Sequence, residues 1–328
     1  MTEKEKMVEV VEETPAETKT PQAFVNEEIS DDATNEQLEL PALETMRNTF
    51  SKMYRKFRIF SYVSTAIVIA VIVVSYVWLL PINQWAGIVP IILVLVASLV
   101  YSRWARNKLT DNVRKYMADY NGYVNEYAVS ETKVENYVYD FAGQLDKAAF
   151  TDARLLKDII NSNSRNLVTY DLGRWHVEIA DYAAYRRDGK QARAVFLGKL
   201  VTGTTEKEID GRLVLYIKPS EQKYDGGTGP DDLEDLELVV DKPEYKLYAT
   251  NKELKKAIST KALEALLQVR PDNELADVSV ALYKNKFAVT LTYSDALMVV
   301  PYKENVPVHA IKKYKEHLTA LNKFIALL

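Results

Sequence analysis

No cysteine occurs anywhere in the chain, which excludes disulfides, thiol nucleophiles and cysteine-held metal clusters together. Neither a Gly-x-Ser-x-Gly elbow nor a Gly-x-Gly-x-x-Gly fingerprint is present, so the commonest hydrolase and dinucleotide signatures are missing. Histidine is scarce as well. His176, His309 and His317 do not converge: the last two stand eight apart and not the four that aligns two ligands on one helical turn. Each of the three is expected to be an ordinary surface histidine.

A further absence is the most informative. No Asp, Glu, Lys or Arg occurs from Ile59 to Ser102. A bilayer core needs about 20 helical residues per crossing, so this run has room for two crossings and a tight turn. The polar break Pro81-Ile82-Asn83-Gln84 divides it, which predicts helices over 59–80 and 85–102. A single long span would bury that break at mid-depth, where each unsatisfied polar group costs several kcal/mol. Trp78, Trp85, Tyr101 and Trp104 fall near the proposed ends, where amphipathic rings prefer the interface. Pro90 falls in the first turns of the second helix, where a missing N–H costs least. A re-entrant loop or a buried soluble hairpin is the competing reading. A signal peptide fits poorly, because its apolar region would lie near the N-terminus.

The flanks give an orientation. Arg47, Lys52, Arg55, Lys56 and Arg58 precede the run without an acid; Arg103, Arg106, Lys108, Arg114 and Lys115 follow it against Asp111. Lys and Arg beside spans stay on the cytoplasmic side. Both flanks are therefore expected inside, as two crossings require, with the Pro-Ile-Asn-Gln break outside and both termini cytoplasmic at a plasma membrane. These basic residues also suit anionic lipid headgroups.

The formal net charge of −4 conceals an asymmetry. Residues 1–45 carry thirteen acids and three lysines, leaving the rest of the chain at +6. Residues 1–42 have the composition of a disordered segment, read either as a solvating leader or as an acidic docking arm for a protein partner. Basic residues are not interleaved with aromatics as on a nucleic-acid surface, and no nucleic-acid partner is expected.

Residues 43–130 read as the transmembrane hairpin with stalk helices. Leu43, Met46, Phe50, Met53, Phe57 and Phe60 recur at spacings of three and four before the first span; Leu109, Val113, Tyr116, Tyr120, Tyr123 and Tyr127 do so after the second. The two stripes are expected to pack on each other or on the domain. Ser61, Ser64, Ala66, Ala70 and Ser75 offer a small-residue face for helix approach.

From about 146 to 328 there is room for one compact cytoplasmic domain. Trp175, Val177 and Ile179 alternate with polar residues as in a half-buried strand, and an Asp188-Gly189 turn leads into "QARAVFLGKLV" as a hairpin. Asp210-Gly211 similarly precedes "RLVLYIK". Then come a strand "YKLYA", one helix "ELKKAISTKALEALLQV", and a second hairpin of "VSVALY" and "FAVTLTY" about Lys284-Asn285. The C-terminal helix places Ile311, Tyr314, Leu318, Leu321 and Ile325 on one face. Strands and helices mix without a βαβ rhythm, which is an α+β domain of mainly antiparallel strands with a few helices. The tyrosines fall mostly on strand faces and the stalk stripe, which suits core packing.

Two segments of this domain resemble a bacterial family of uncharacterised two-span membrane proteins, known as domain of unknown function 3137. Tyr245, Leu247 and Tyr248, then Ile258-Ser259, then Leu263-Glu264 stand at the places of that family's strand and following helix; Phe196 and Gly198 stand at its phenylalanine-glycine strand pair. The similarity spans roughly residues 165–300 and the anchor. It implies a membrane-anchored cytoplasmic domain and carries over no catalytic residues. The acidic tail and the acidic Gly-rich loop at 225–235 depart from the family pattern.

Two chemical motifs need weighing. "GGTGPDDLE", Gly226 to Glu234, matches a calcium repeat of β-roll proteins, but such ions sit between stacked turns and one copy is too few. A mobile acidic loop is expected instead. "GKLVTGTT", Gly198 to Thr205, has Thr204 where a P-loop needs lysine and sits in a strand context. The sequence therefore predicts no catalytic, cofactor-binding or metal-binding residues and no cofactor. The expected function is a non-enzymatic binding or scaffold module at the inner membrane face. The alternatives are an enzyme acting on a lipid or envelope precursor, or an accessory subunit of a membrane complex.

Overall fold

A computed structural model describes residues 40–189, 191–218, 230–269, 275–293 and 300–328, with single positions 271 and 297. The acidic tail before Leu40 and the first part of the Gly-rich loop lie outside the described residues.

Two long helices come first. Helix α1 runs Pro41–Val74 and widens into a π-helical turn over Ser75–Leu79, and α2 runs Gln84–Val129. Proline at the first position starts α1, where its missing N–H is no loss. The break expected at Pro81 is the turn between them. Asn83 is extended, and its side chain accepts a hydrogen bond from the Trp85 amide at 2.9 Å, which starts α2. A Cβ on Gly87 would stand 2.8 Å from Leu80 Cα, so only glycine lets the two helices meet this closely at the tip. Both helices are long and apolar enough to cross a membrane, and only 6 % of each apolar window is buried, whereas a core helix of a water-soluble fold buries most of its length.

The remaining elements build a sheet. Among the described residues seven strands are β1 (Glu135–Asp140), β2 (Ile159–Leu172), β3 (Trp175–Asp188), β4 (Gln191–Ile217), β5 (Glu237–Asp241), β6 (Tyr245–Ala249) and β7 (Leu275–Tyr293). They form one sheet in the order β1-β2-β3-β4-β6-β5, with β7 also paired to β4. Every pairing is antiparallel. The Asp188-Gly189 turn joins β3 to β4 as expected, with Asp188 opposite Gln191 and Gly189 at φ +60°. Strand β1 precedes residue 146, so the sheet begins earlier than the expected domain boundary.

Two local readings hold and one is corrected. The segment about Lys284-Asn285 is a hairpin, as expected: Thr290 donates to the Ser279 carbonyl at 3.4 Å and Thr292 to Asp277 at 3.1 Å, so the two halves of β7 lie side by side. Its first half, Val278–Tyr283, pairs with Arg212–Ile217 of β4, and its second half, Lys286–Leu291, pairs with Lys199–Thr204, so the hairpin lies between two stretches of β4. Its residues are buried on both faces, as suits central strands, and Lys284 takes φ +51° at the turn. Asp210-Gly211 precedes the second stretch of β4 as expected, in the segment between Thr204 and Arg212 where the register shifts, the chain reverses around the tip of that hairpin and Gly211 adopts φ +117°. Finally, the expected single helix after β6 is split. A 3-10 segment covers Lys252–Ala257, Ile258 is extended, and Ser259 caps a new helix α4 (Thr260–Leu266) by accepting from the Ala262 amide at 3.1 Å.

Helices cover both faces. Helix α5 (Val308–Leu327) lays Ile311, Tyr314, Leu318, Leu321 and Ile325 on one face of the sheet, all essentially fully buried. The same core takes in Leu43 and Phe50 of α1 and Tyr116, Tyr120, Val124 and Ala128 of α2, so the stalk stripes pack both on each other and on the domain. The opposite face is smaller. Short helix α3 (Lys147–Ala153) seats Phe150 over Tyr182 and Phe196, with ring centroids 4.9 and 6.0 Å away. Gly198 serves this arrangement too: a Cβ there would lie 2.0 Å from the Leu291 carbonyl oxygen of β7.

Candidate functional site

The residues singled out by sequence do not assemble into a reactive centre. Gly226, Gly227 and Gly229 of the calcium-like motif lie outside the described residues, but its acidic part is described. Asp231 accepts the Lys157 amide at 2.7 Å and faces Arg186 at 2.6 Å, while Asp232 accepts two hydrogen bonds from Arg154 at 3.0 and 3.1 Å. Glu234 pairs with Lys157 and Asp235 with Arg154. The described part of the Gly-rich loop at 225–235, expected to be a mobile acidic loop, is held by these cations. Buried Arg212 reinforces it by donating to the backbone carbonyls of Arg154 and Asp232. Its removal from water and the neighbouring Arg154 charge pull the Arg212 guanidinium below its usual range. Among the described residues no group of three or more acidic or histidine side chains is placed to hold a metal ion. Gly198–Thr205 lies within β4, the strand context expected of it.

His176 and His309 are exposed as expected; His176 Nδ1 lies 2.8 Å from Asp171, its cross-strand partner in β2. His317 is corrected. It is buried at 4 % exposure, with Nδ1 3.2 Å from the Tyr293 hydroxyl, because it sits on the sheet-facing side of α5.

A buried polar cluster was not foreseen. Asp181 of β3 and Lys199 of β4 are directly opposed in register and form an ion pair at 2.5 Å, with side chains 7 % and 6 % exposed. Asn166 of β2 donates to the second carboxylate oxygen at 2.5 Å and accepts from Tyr139 at 3.1 Å. Lys199 Nζ lies 5.1 Å from the centre of the Tyr314 ring, and Tyr314 donates to Asn125 of α2 at 3.2 Å. Burial, helped by the Asp181 charge, holds the Tyr314 and Tyr139 hydroxyls well above the usual phenol range, so both stay neutral. The cluster ties four strands to α2 and α5. It is closed to ligands unless those helices lift.

An open site lies elsewhere. Between α1 and α2, at the end of the apolar run nearest the domain, is a cleft of about 390 Å³. Tyr54, Phe57, Arg58, Ser61, Ser64 and Thr65 line it from α1; Ser98, Tyr101, Ser102, Ala105, Arg106 and Leu109 line it from α2. Ser61 and Ser64 of the expected small-residue face therefore border a gap and not a tight contact, whereas Ser75 is buried at the tip. Ala66 and Ala70 are exposed. Sequence reasoning noticed the basic flanks and the serines separately; the antiparallel pairing of the helices brings them together.

No family model and no curated protein matches the chain. Among solved structures, the mycobacterial trehalose monomycolate transport factor A is similar at 11 % identity and a TM-score of 0.32, covering 61 % of this chain and 95 % of that one, a likeness too low to carry an argument.

Proposed function

We propose that the chain is a two-span integral protein of a bacterial plasma membrane that holds a non-enzymatic binding or scaffold domain at the cytoplasmic face. The observation that carries the reading is the continuity of α1 and α2. Each helix begins or ends as a stripe buried in the domain core and becomes an apolar rod exposed on nearly every side, with Ile59, Phe60, Ile67, Val73, Leu93, Leu99 and Val100 all uncovered. A contiguous apolar surface of that extent is unstable in water and at home in hydrocarbon.

Polarity supports the orientation. The basic residues from Arg47 to Arg58 and from Arg103 to Lys115 lie toward the domain, while the uncharged Asn83 turn is at the far tip. Both termini then lie in the cytoplasm. The partners are the bilayer itself and a protein engaged by the domain or by the acidic tail. Membership of the domain of unknown function 3137 family fits the same picture, and the steric need for glycine at Gly198 gives its strand motif a structural reason.

With no native thiol, single cysteines report the topology cleanly. Asn83→Cys reacts with a membrane-impermeant maleimide on intact cells whose outer barrier, if any, is permeabilised. Lys255→Cys reacts only after lysis. Labelling in the reverse order sinks the orientation.

A further inference from the structure

We propose that the cleft between α1 and α2 holds one anionic phospholipid of the inner leaflet, its phosphate between Arg58 and Arg106; this rests on the membrane reading above. The position suits a headgroup. Residues 54–58 and 105–109 line the end toward the domain, and residues 61–65 and 98–102 line the end that enters the apolar run. Charge therefore stands at the water boundary and hydroxyls just inside it.

The polar groups are arranged to receive an anion. Arg106 makes no side-chain hydrogen bond or ion pair among the described residues. Arg58 uses only Nε, donating to the Tyr62 hydroxyl at 3.0 Å, so its remaining N–H groups are available. Thr65 donates back to the Ser61 carbonyl at 3.0 Å. Ser64 and Ser98 are half-buried without a side-chain hydrogen bond among the described residues. Hydroxyls and guanidinia at this depth need an acceptor, and a phosphate offers several at once.

The flanks decide which phosphate. Ile59, Phe60, Tyr62 and Val63 on one helix and Leu99 and Val100 on the other are exposed beside the cleft. Acyl chains would cover them, whereas a free phosphate would leave them bare. An apolar partner helix would cover them but would strand two guanidinia. The volume of about 390 Å³ lies within the range of small-ligand sites, about 300–1,000 Å³, enough for a headgroup with its chains outside.

The test uses the full chain in mild detergent, titrated with short-chain phosphatidylglycerol, short-chain phosphatidylcholine or inorganic phosphate, with bound adducts counted by native mass spectrometry. One phosphatidylglycerol is expected to bind about tenfold more tightly than phosphatidylcholine and not to be displaced by excess inorganic phosphate. The double variant Arg58→Gln/Arg106→Gln loses that preference. Ser98→Leu, which fills the cleft and keeps every charge, also loses binding; Lys52→Gln/Arg55→Gln, outside the cleft, does not. Equal binding of the two lipids, indifference to the arginine pair, displacement by phosphate or a co-purified polypeptide in place of the lipid each overturns the proposal. Alkaline carbonate extraction of the same membranes separates the two readings. A carbonate-resistant protein without lipid preference refutes only the lipid site, and an extractable one refutes the membrane reading.

Discussion

Phe50 of α1 lies flat on Tyr116 of α2, ring centroids 4.3 Å apart and planes 6° from parallel, while Tyr302 meets Phe50 edge-on at 6.3 Å. The Tyr116 hydroxyl donates to the Pro301 carbonyl, and burial pushes that phenol up to about 12. Two helices that enter the membrane-competent rods are thus joined to each other and to the segment before α5 at one aromatic contact.

Phe50→Ala should release α1 from the domain without unfolding the sheet. Truncating a buried phenylalanine costs about 3–5 kcal/mol, and Phe50 is 6 % exposed. Hydrogen exchange is expected to accelerate over residues 41–56 while β3 and β4 keep their protection. Unchanged exchange in α1 would mean that the stack does not hold the stalk.

The ion pair between Asp181 and Lys199 gives a second prediction. Removing one member of a buried pair strands the other and costs about 3–5 kcal/mol, while removing both is often close to neutral. Lys199→Met is therefore expected to lower stability in urea unfolding by about 3 kcal/mol. Adding Asp181→Asn, which still accepts from Asn166, should recover more than half of the loss. Simple additivity of the two substitutions would show that the pair is not coupled.

Much of this architecture was legible because burial leaves a periodic trace. The uncharged run marked both apolar helices and their turn, and the stripe from Ile311 to Ile325 marked the buried face of α5. Trp175, Val177 and Ile179 marked β3 and its inward face. What failed was local chemistry overruled by neighbours. The segment after β6 has helical composition throughout, yet Ile258 is extended and Ser259 caps a separate helix. Strand β2 was missed because "NSNSRN" is polar throughout, although Ser164 and Asn166 within it are buried. The Asp181–Lys199 pair and the Arg58–Arg106 cleft left no signal, since each joins residues far apart in sequence that only the strand register or the helix pairing makes neighbours.

Asp277 makes the domain sensitive to pH. Burial pushes its carboxyl up to about 6, only partly opposed by the hydrogen bond from Thr292 at 3.1 Å. The folded state therefore holds this proton more tightly than the unfolded chain does. The resulting stability is fully present below about pH 4 and is lost as pH rises through 6. The rise to about 6 corresponds to about 3 kcal/mol at most. Asp277→Asn should match the wild type at pH 4 and exceed it at pH 7.5, measured by thermal unfolding followed through tryptophan fluorescence. A constant difference across that window would place the titration elsewhere.

The last prediction concerns which part of the chain folds alone. A boundary at 146 suggests that residues 146–328 carry their own core, but the contacts say otherwise. Leu43 and Phe50 of α1 and Tyr116, Tyr120, Val124, Ala128 and Val129 of α2 belong to the same buried cluster as the sheet and α5. Strand β1 also lies before that boundary and covers the edge of β2. Removing all of these uncovers an apolar face and an unpaired strand edge, both of which favour aggregation. Residues 59–102 contribute little to that core, being exposed over most of their length. Replacing 59–102 by a flexible Gly-Ser linker of about ten residues, with 40–58 and 103–328 kept, should give a soluble, monodisperse protein with cooperative unfolding. Residues 146–328 alone should aggregate or unfold without a transition. If the shorter piece folds as well as the linked one, the stalk is a passive tether. If the linked form aggregates while the shorter one is soluble, the long helices do not pack on the sheet as described.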